Sequence, residues 1–344
     1  MPLTPLAPYP QLRLRRFRMH AWQRTLVQEH RLHASDLIWP VFVCEGHGQR
    51  QPIDSLPGVE RLSIDLLVQE VQEAAELGIP MVALFCAIDP TLKDDAATEA
   101  FNPNNLACRA IRAIKEACPN IGVMVDVALD LYTSHGHDGL IVEGVVANDA
   151  TVEALVKQSL NFANAGADAL GPSDMMDGRI GVIRQALEAA GFHDTLLIAY
   201  SAKYASALYG PYRDAVGSAN NLNTPATTVG ASKATYQQHP ANVLEALREG
   251  ALDASEGADA LMVKPALYYL DVIYRLKEAT PLPMIAYHVS GEYAMVCAAA
   301  EKGWLDKEKV LHEALLSLKR AGCDAIITYA AKQMARHLKV GRLQ

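Results

Sequence analysis

With 344 residues, half of them apolar and a fifth charged, the chain has the composition of a globular protein with a large core, not of a disordered or fibrous one. Its net charge of −8 argues against general affinity for nucleic acid or anionic membranes. No apolar run reaches the ~20 residues of a membrane span, and the N-terminus shows no signal-peptide core. The six cysteines are scattered without a C-x-x-C pair and read as reduced, buried thiols of a cytoplasmic protein.

Residues 1–33 stand apart. Pro2, Pro5, Pro8 and Pro10 keep the start extended, because proline locks φ and lacks a donor. An arginine-rich stretch, Arg13-Leu14-Arg15-Arg16-Phe17-Arg18, follows, with Phe17, Trp22, Leu26 and Val27 among the charges. A solvated basic face and a transit peptide are two readings of such a stretch. We read it as an arm for subunit contacts, since those apolar residues gain stability only against another surface. Residues 34–344 are then a single catalytic domain.

From Asp36 onward apolar runs alternate with helical patterns. The runs are Leu37–Cys44, Met81–Ile88, Ile121–Leu129, Ala167–Gly171, Leu196–Ala202, Ala258–Val263, Met284–Val289 and Ala325–Tyr329. They lack period-2 alternation, as parallel strands covered on both faces do. Helices are predicted between them, for example over Thr151–Ala165 and Ile180–Ala190. Ala165-Gly-Ala-Asp-Ala-Leu, Glu256-Gly-Ala-Asp-Ala-Leu and Ala321-Gly-Cys-Asp-Ala-Ile repeat a glycine helix end followed by a strand. Eight strand–helix units predict an α/β fold, a TIM (β/α)8 barrel. The rival, a doubly wound sheet, usually carries an early glycine-rich phosphate loop, and none is present.

Barrel chemistry lies at the C-terminal strand ends. Those ends read Asp126 to Gly139 with Asp130, His135, His137 and Asp138; Ser173-Asp174-Met-Met-Asp177-Gly-Arg179; Tyr200-Ser-Ala-Lys203; Met262-Val-Lys264; Tyr287-His-Val-Ser290-Gly-Glu292; and Thr328-Tyr329. So many polar groups are costly there unless they meet one another or a ligand. A lone lysine at a strand end is most simply an anion binder. Lys203 and Lys264, on neighbouring strands, point into one mouth, where burial and mutual repulsion yield neutral amines able to form imines with ketones. Arg213 and Lys233 flank a Gly/Ser/Asn/Thr-rich segment, Gly217–Ser232, which fits a lid that grips a carboxylate on closing. Asp126, Asp130 and Asp138, with the two histidines, are active-site groups first and ligands for a hard cation second.

These segments resemble the porphobilinogen synthase family, also called 5-aminolevulinate dehydratases. The motifs are Asp130-Leu-Tyr-Thr-Ser-His-Gly-His-Asp138, Pro172-Ser-Asp-Met-Met-Asp-Gly-Arg179, Ser201-Ala-Lys-Tyr-Ala-Ser206, Tyr209-Gly-Pro-Tyr-Arg-Asp214, Met262-Val-Lys-Pro265 and Val289-Ser-Gly-Glu-Tyr-Ala-Met295. The resemblance implies asymmetric condensation of two 5-aminolevulinate molecules, losing two waters, to porphobilinogen for tetrapyrrole synthesis. It implies that Lys264 holds one substrate as a Schiff base, with Ser290 and Tyr329 on its carboxylate. Lys203 holds the other, with Arg213 and Lys233 on its carboxylate. Asp126, Asp130 and Ser173 orient the free amine, Asp138 joins the catalytic set, and Tyr212 and Tyr287 complete the substrate-binding groups.

Zinc-dependent members carry three cysteines where this chain has Ala128, Asp130 and Asp138, so no catalytic zinc is expected. The pattern resembles the magnesium-type branch, with an allosteric Mg²⁺ at Glu249; a single exposed helical glutamate is by default solvated, so that site rests on the resemblance. Metal-independent members also exist. No organic cofactor is implied. Homo-octamers of arm-exchanging dimers are implied, in the bacterial cytosol, with a plastid as the alternative. Two departures stand out: the lid segment 220–232 is long for the family, and Gly171 replaces a common alanine, a change expected to be mild. The rivals are a class I aldolase-type lyase, which needs only one imine lysine, and a non-catalytic metabolite-binding barrel.

Overall fold

The computed structural model describes residues 7–217 and 232–340. Most of the anticipated lid, residues 218–231, lies outside them.

Each of the eight apolar runs forms a buried parallel strand: β1 (Leu37–Val43), β4 (Met81–Cys86), β5 (Gly122–Val127), β8 (Ala169–Pro172), β9 (Leu196–Lys203), β10 (Ala260–Lys264), β11 (Met284–His288) and β12 (Ala325–Thr328). They follow one another around a closed sheet, β1 pairing with β12 through Leu37 to Ile326 and Ile38 to Ile327. Closure leaves no edge on this sheet and explains the unbroken hydrophobicity, since helices cover the outside and side chains fill the inside.

The covering helices include α2 (Ile64–Glu76), α3 (Leu106–Ala117), α4 (Asn148–Ala165), α5 (Arg179–Ala189), α7 (Leu244–Glu256), α8 (Leu270–Ala279), α9 (Ser290–Glu301), α10 (Lys307–Ala321) and α11 (Ala331–Lys339). The three repeated glycines, Gly166, Gly257 and Gly322, end α4, α7 and α10 with φ of 100°, 100° and 114°. Only glycine enters that left-handed region without strain, so the repeat turns three helices back into strands.

Two hairpins go beyond the predicted elements. β2 (Arg50–Pro52) and β3 (Glu60–Leu62) are antiparallel, and β3 extends the sheet beside the end of β1. Both are polar and short, so no hydrophobic period marks them. β6 (Ile141–Val142) and β7 (Val145–Val146) turn through Glu143 and Gly144, whose φ values of 51° and 81° suit a tight hairpin turn.

Residues 7–33 carry the short helix α1 (Ala21–Leu26) and leave Tyr9, Leu14, Phe17, Trp22 and Leu26 exposed. No described helix is long and apolar enough to cross a membrane.

Candidate active site

The two lysines terminate adjacent strands. Lys203 ends β9 and Lys264 ends β10, and the two are paired in register. Both are only 6% exposed, and both line one pocket with Asp126, Asp130, Ser173 and Arg213.

Their surroundings differ. The Lys203 Nζ donates to Asp138 Oδ2 at 3.2 Å and to the Ser173 carbonyl. The Lys264 Nζ instead sits among the rings of Tyr287, Tyr200, Tyr212 and Tyr209, at 4.6, 5.1, 5.1 and 5.4 Å from their centroids. Among the described residues no carboxylate lies within ion-pair distance of it. Ring faces favour a cation modestly. Burial, helped by the charge of Lys203, outweighs them and pushes Lys264 down to about 7. The two lysines thus differ in their partners: Lys203 is ion-paired to Asp138, while Lys264 is enclosed by tyrosine rings.

Asp138 joins Lys203 to Lys233, whose Nζ lies 2.6 Å from Asp138 Oδ1 and 3.3 Å from Asp130 Oδ2. Burial alone would raise the Asp138 carboxyl, but the two cations hold it well below the usual carboxylate range. Burial likewise disfavours the Lys233 ammonium, and the two aspartates outweigh it and push its pKa up. Lys233 is thus paired with both Asp130 and Asp138. Asp126, at the end of β5, is fully enclosed; burial raises it to about 6 against the pull of Lys264.

On the other side, Tyr287 and Tyr329 place their hydroxyls 3.3 Å apart. The Ser290 Oγ, at the start of α9, accepts from the Tyr212 amide at 3.0 Å. That bond ties α9 to α6 (Gly210–Ala215), the helix carrying Tyr212 and Arg213. Gly291 permits the contact, because a Cβ there would stand 2.5 Å from the Leu208 carbonyl oxygen.

Several supports escaped the sequence reading. Arg61 on β3 donates to the Asp214 carbonyl at 2.6 Å, so the unpredicted hairpin braces α6. Glu292 is buried; its carboxylate accepts from the Val289 and Leu267 amides, both at 2.7 Å, clamping the loop after Lys264 to the start of α9. A glutamate at the third helical position was a usable signal for that clamp. Tyr236 places its hydroxyl 3.2 Å from His137 Nδ1 and accepts from the Asp138 amide at 3.2 Å. His135 and His137 are engaged in this loop. No grouping of three or more acidic, histidine or cysteine side chains suited to a metal occurs among the described residues.

Glu249 is not a solvated side chain. It bonds the fully buried Arg179 at 3.1 Å, and Arg179 also pairs with Asp253 at 3.2 Å and Asp174 at 3.7 Å. One cation faces three carboxylates, and burial pushes Glu249 up to about 7. A divalent cation held through one carboxylate and waters suits that excess of negative charge.

At Gly171 an added methyl would fall 2.3 Å from the Met124 Cε, so a methionine side chain occupies the space an alanine would fill.

Comparison with known proteins gives a consistent result. The family model for delta-aminolevulinic acid dehydratase matches residues 11–337. The delta-aminolevulinic acid dehydratase of Bradyrhizobium diazoefficiens is 53% identical, over 95% of this chain and 91% of that protein. That of Rhodobacter capsulatus is 47% identical over 97% and 98%. The crystal structure of the Toxoplasma gondii ME49 enzyme, in complex with the reaction product porphobilinogen, superposes with a TM-score of 0.90 at 50% identity, covering 95% of this chain and 91% of that one.

Proposed function

The chain belongs to the delta-aminolevulinic acid dehydratase family, and on that premise we propose how its residues join two molecules of 5-aminolevulinate into porphobilinogen. The enzyme is a lyase of haem synthesis that releases two waters per product. The observation carrying the assignment of roles is the register pairing of Lys203 with Lys264 in one pocket.

Lys264, down at about 7, attacks the ketone of one substrate and expels water to form an imine. Lys203 forms the second imine once it has given up its proton; Asp138, 3.2 Å away, stays ionised and holds the ammonium until then. Loss of a proton from the carbon next to the Lys264 imine makes the carbon nucleophile. It attacks the imine carbon at Lys203, and that lysine leaves. Departure of Lys203 takes a second proton from the attacking carbon and leaves a carbon–carbon double bond. The amino group of the second substrate then adds to the Lys264 imine and expels that lysine, closing the ring, and loss of a last carbon-bound proton gives the pyrrole. Asp126 and Asp130 serve the proton transfers, with Ser173 orienting the free amine. Ser290, Tyr329, Tyr287 and Tyr212 hold the carboxylate beside Lys264. Arg213 and Lys233 hold the other, Lys233 dividing its donors between that carboxylate and the two aspartates.

Glu249 would hold an allosteric Mg²⁺, which supplies positive charge against the carboxylates around Arg179. We place the enzyme in the cytoplasm as a homo-octamer whose residues 1–33 contact neighbouring subunits. After chelation, activity is expected to return with Mg²⁺; return with Zn²⁺ alone would overturn the metal assignment.

The test of the function is borohydride trapping with labelled 5-aminolevulinate, followed by peptide mapping and a colorimetric porphobilinogen assay. Label at Lys264 with product formed is expected. Label at Lys203 alone, or no product, would point to an aldolase or a binding protein.

A further inference from the structure

We propose that Tyr200 is a positioning residue for the condensation, its phenol donating a hydrogen bond to the Asp126 carboxylate that stands beside Lys264. The proposal rests on the imine chemistry assigned above.

Simple alternation along β9 would put residues 200 and 203 on opposite faces of the strand. The pairing of β9 with β10 prevents this. Ala199 pairs with Leu261 and Ala202 with Val263, so three residue steps on β9 match two on β10. The extra residue is a β-bulge, and it re-phases the strand so that Tyr200 and Lys203 both serve the interior. The Tyr200 ring therefore lies 5.1 Å from the Lys264 Nζ and 6.5 Å from the Tyr287 ring.

Asp126 sits on β5, and only β8 separates it from β9. Its register partner on β8 is Gly171. A Cβ at Gly171 would stand 3.0 Å from the Tyr200 Cε2, so the tyrosine ring lies over the bare backbone there and reaches toward Asp126. Tyr200 is wholly buried. Its hydroxyl and the Asp126 Oδ1 are both enclosed, and neither has a hydrogen-bond partner among the described residues. A buried donor and a buried acceptor left open side by side are expensive unless a working state pairs them. Asp126 is the acceptor nearest in kind, and its carboxylate helps raise the Tyr200 phenol.

Ionised Asp126 is the state the phenol would favour. That carboxylate also feels Lys264 and Lys203 from β10 and β9, Asp130 from its own loop, and Tyr212, Tyr132 and Cys86 from the elements packed around it. Lys264 and Lys203 lower its proton affinity, Asp130 raises it, and a hydrogen bond from Ser173 lowers it; Tyr200 would supply a further neutral donor, at the open Oδ1. Removing the hydroxyl should make Asp126 harder to ionise.

The test is the pH dependence of kcat/KM for Tyr200→Phe, which keeps the ring and loses only the hydroxyl. The acidic limb should move up by roughly half a pH unit or more, and kcat should fall about tenfold. KM should stay within about twofold, since uniform binding is untouched. Tyr200→Phe added to Asp126→Asn should cost nothing further, because the phenol acts through that carboxylate. Replacing Tyr200 by 2,3-difluorotyrosine, a stronger donor of nearly the same shape, should move the acidic limb down. An unmoved limb in both Tyr200 variants, or an added loss in the Asp126→Asn background, would overturn the proposal. Failure of the imine chemistry itself reads differently: the unaltered enzyme would then leave Lys264 unlabelled after borohydride.

Discussion

A lysine enclosed by tyrosine rings, with no carboxylate at ion-pair distance among the described residues, costs the fold stability. Lys264 stands near 7 in the folded enzyme, against about 10.4 for an unfolded lysine. Between those values the unfolded chain binds the extra proton, so this group's contribution rises with pH across the window. The penalty is complete below pH 7 and gone above the unfolded value. Lys264→Met should therefore raise the melting temperature at pH 7 by about 2–5 °C, and the gain should shrink toward pH 10; calorimetry of both proteins across that range checks it. Asp138 makes the opposite case, an anion that two lysines need. Asp138→Asn leaves Lys203 and Lys233 close together and buried with their shared negative charge gone. We expect kcat to fall at least about 100-fold. Borohydride label should persist at Lys264 and drop at Lys203, as peptide mapping would reveal.

Elements matter here through what they brace. The β2–β3 hairpin grips α6 through Arg61, and α9 grips it through Ser290, with Gly291 packed on Leu208 just before it. The helix carrying Tyr212 and Arg213 is held from two sides by segments far away in sequence. Gly291→Ala should drive the Leu208 backbone away, because the added carbon would sit 2.5 Å from its oxygen. A loss of about 1–3 kcal/mol in stability is expected from such overpacking. It should come with a KM increase larger than the kcat decrease, which steady-state kinetics and a denaturant melt would show. The hairpin was invisible beforehand because Arg50-Gln51-Pro52 carries no hydrophobic period. The helix ends were visible because a glycine before an apolar run is a local signal.

At the scale of the whole molecule, the arm is the part a lone chain explains least well. Tyr9, Leu14, Phe17, Trp22 and Leu26 are large, apolar and exposed together, a pattern that marks an interaction surface. Deleting residues 1–33 should lower the assembly state while leaving a folded barrel. Size-exclusion chromatography with light scattering measures it, and an unchanged mass would refute the subunit-contact role.

The amino-acid sequence by itself determined the barrel and named the strand-end residues that the fold gathers in one pocket, among them Lys203 and Lys264. Parallel strands buried on both faces need continuous apolar runs, and two lysines closing adjacent runs have few other uses. These signals are local, so they can be read along the chain. Tertiary structure alone decided which lysine lacks an anionic partner, which acids Lys233 holds, and that Tyr200 turns inward. Those outcomes depend on the register between β9 and β10 and on contacts made across the barrel mouth. A one-residue bulge changes which face a side chain serves, and nothing local in the sequence announces it.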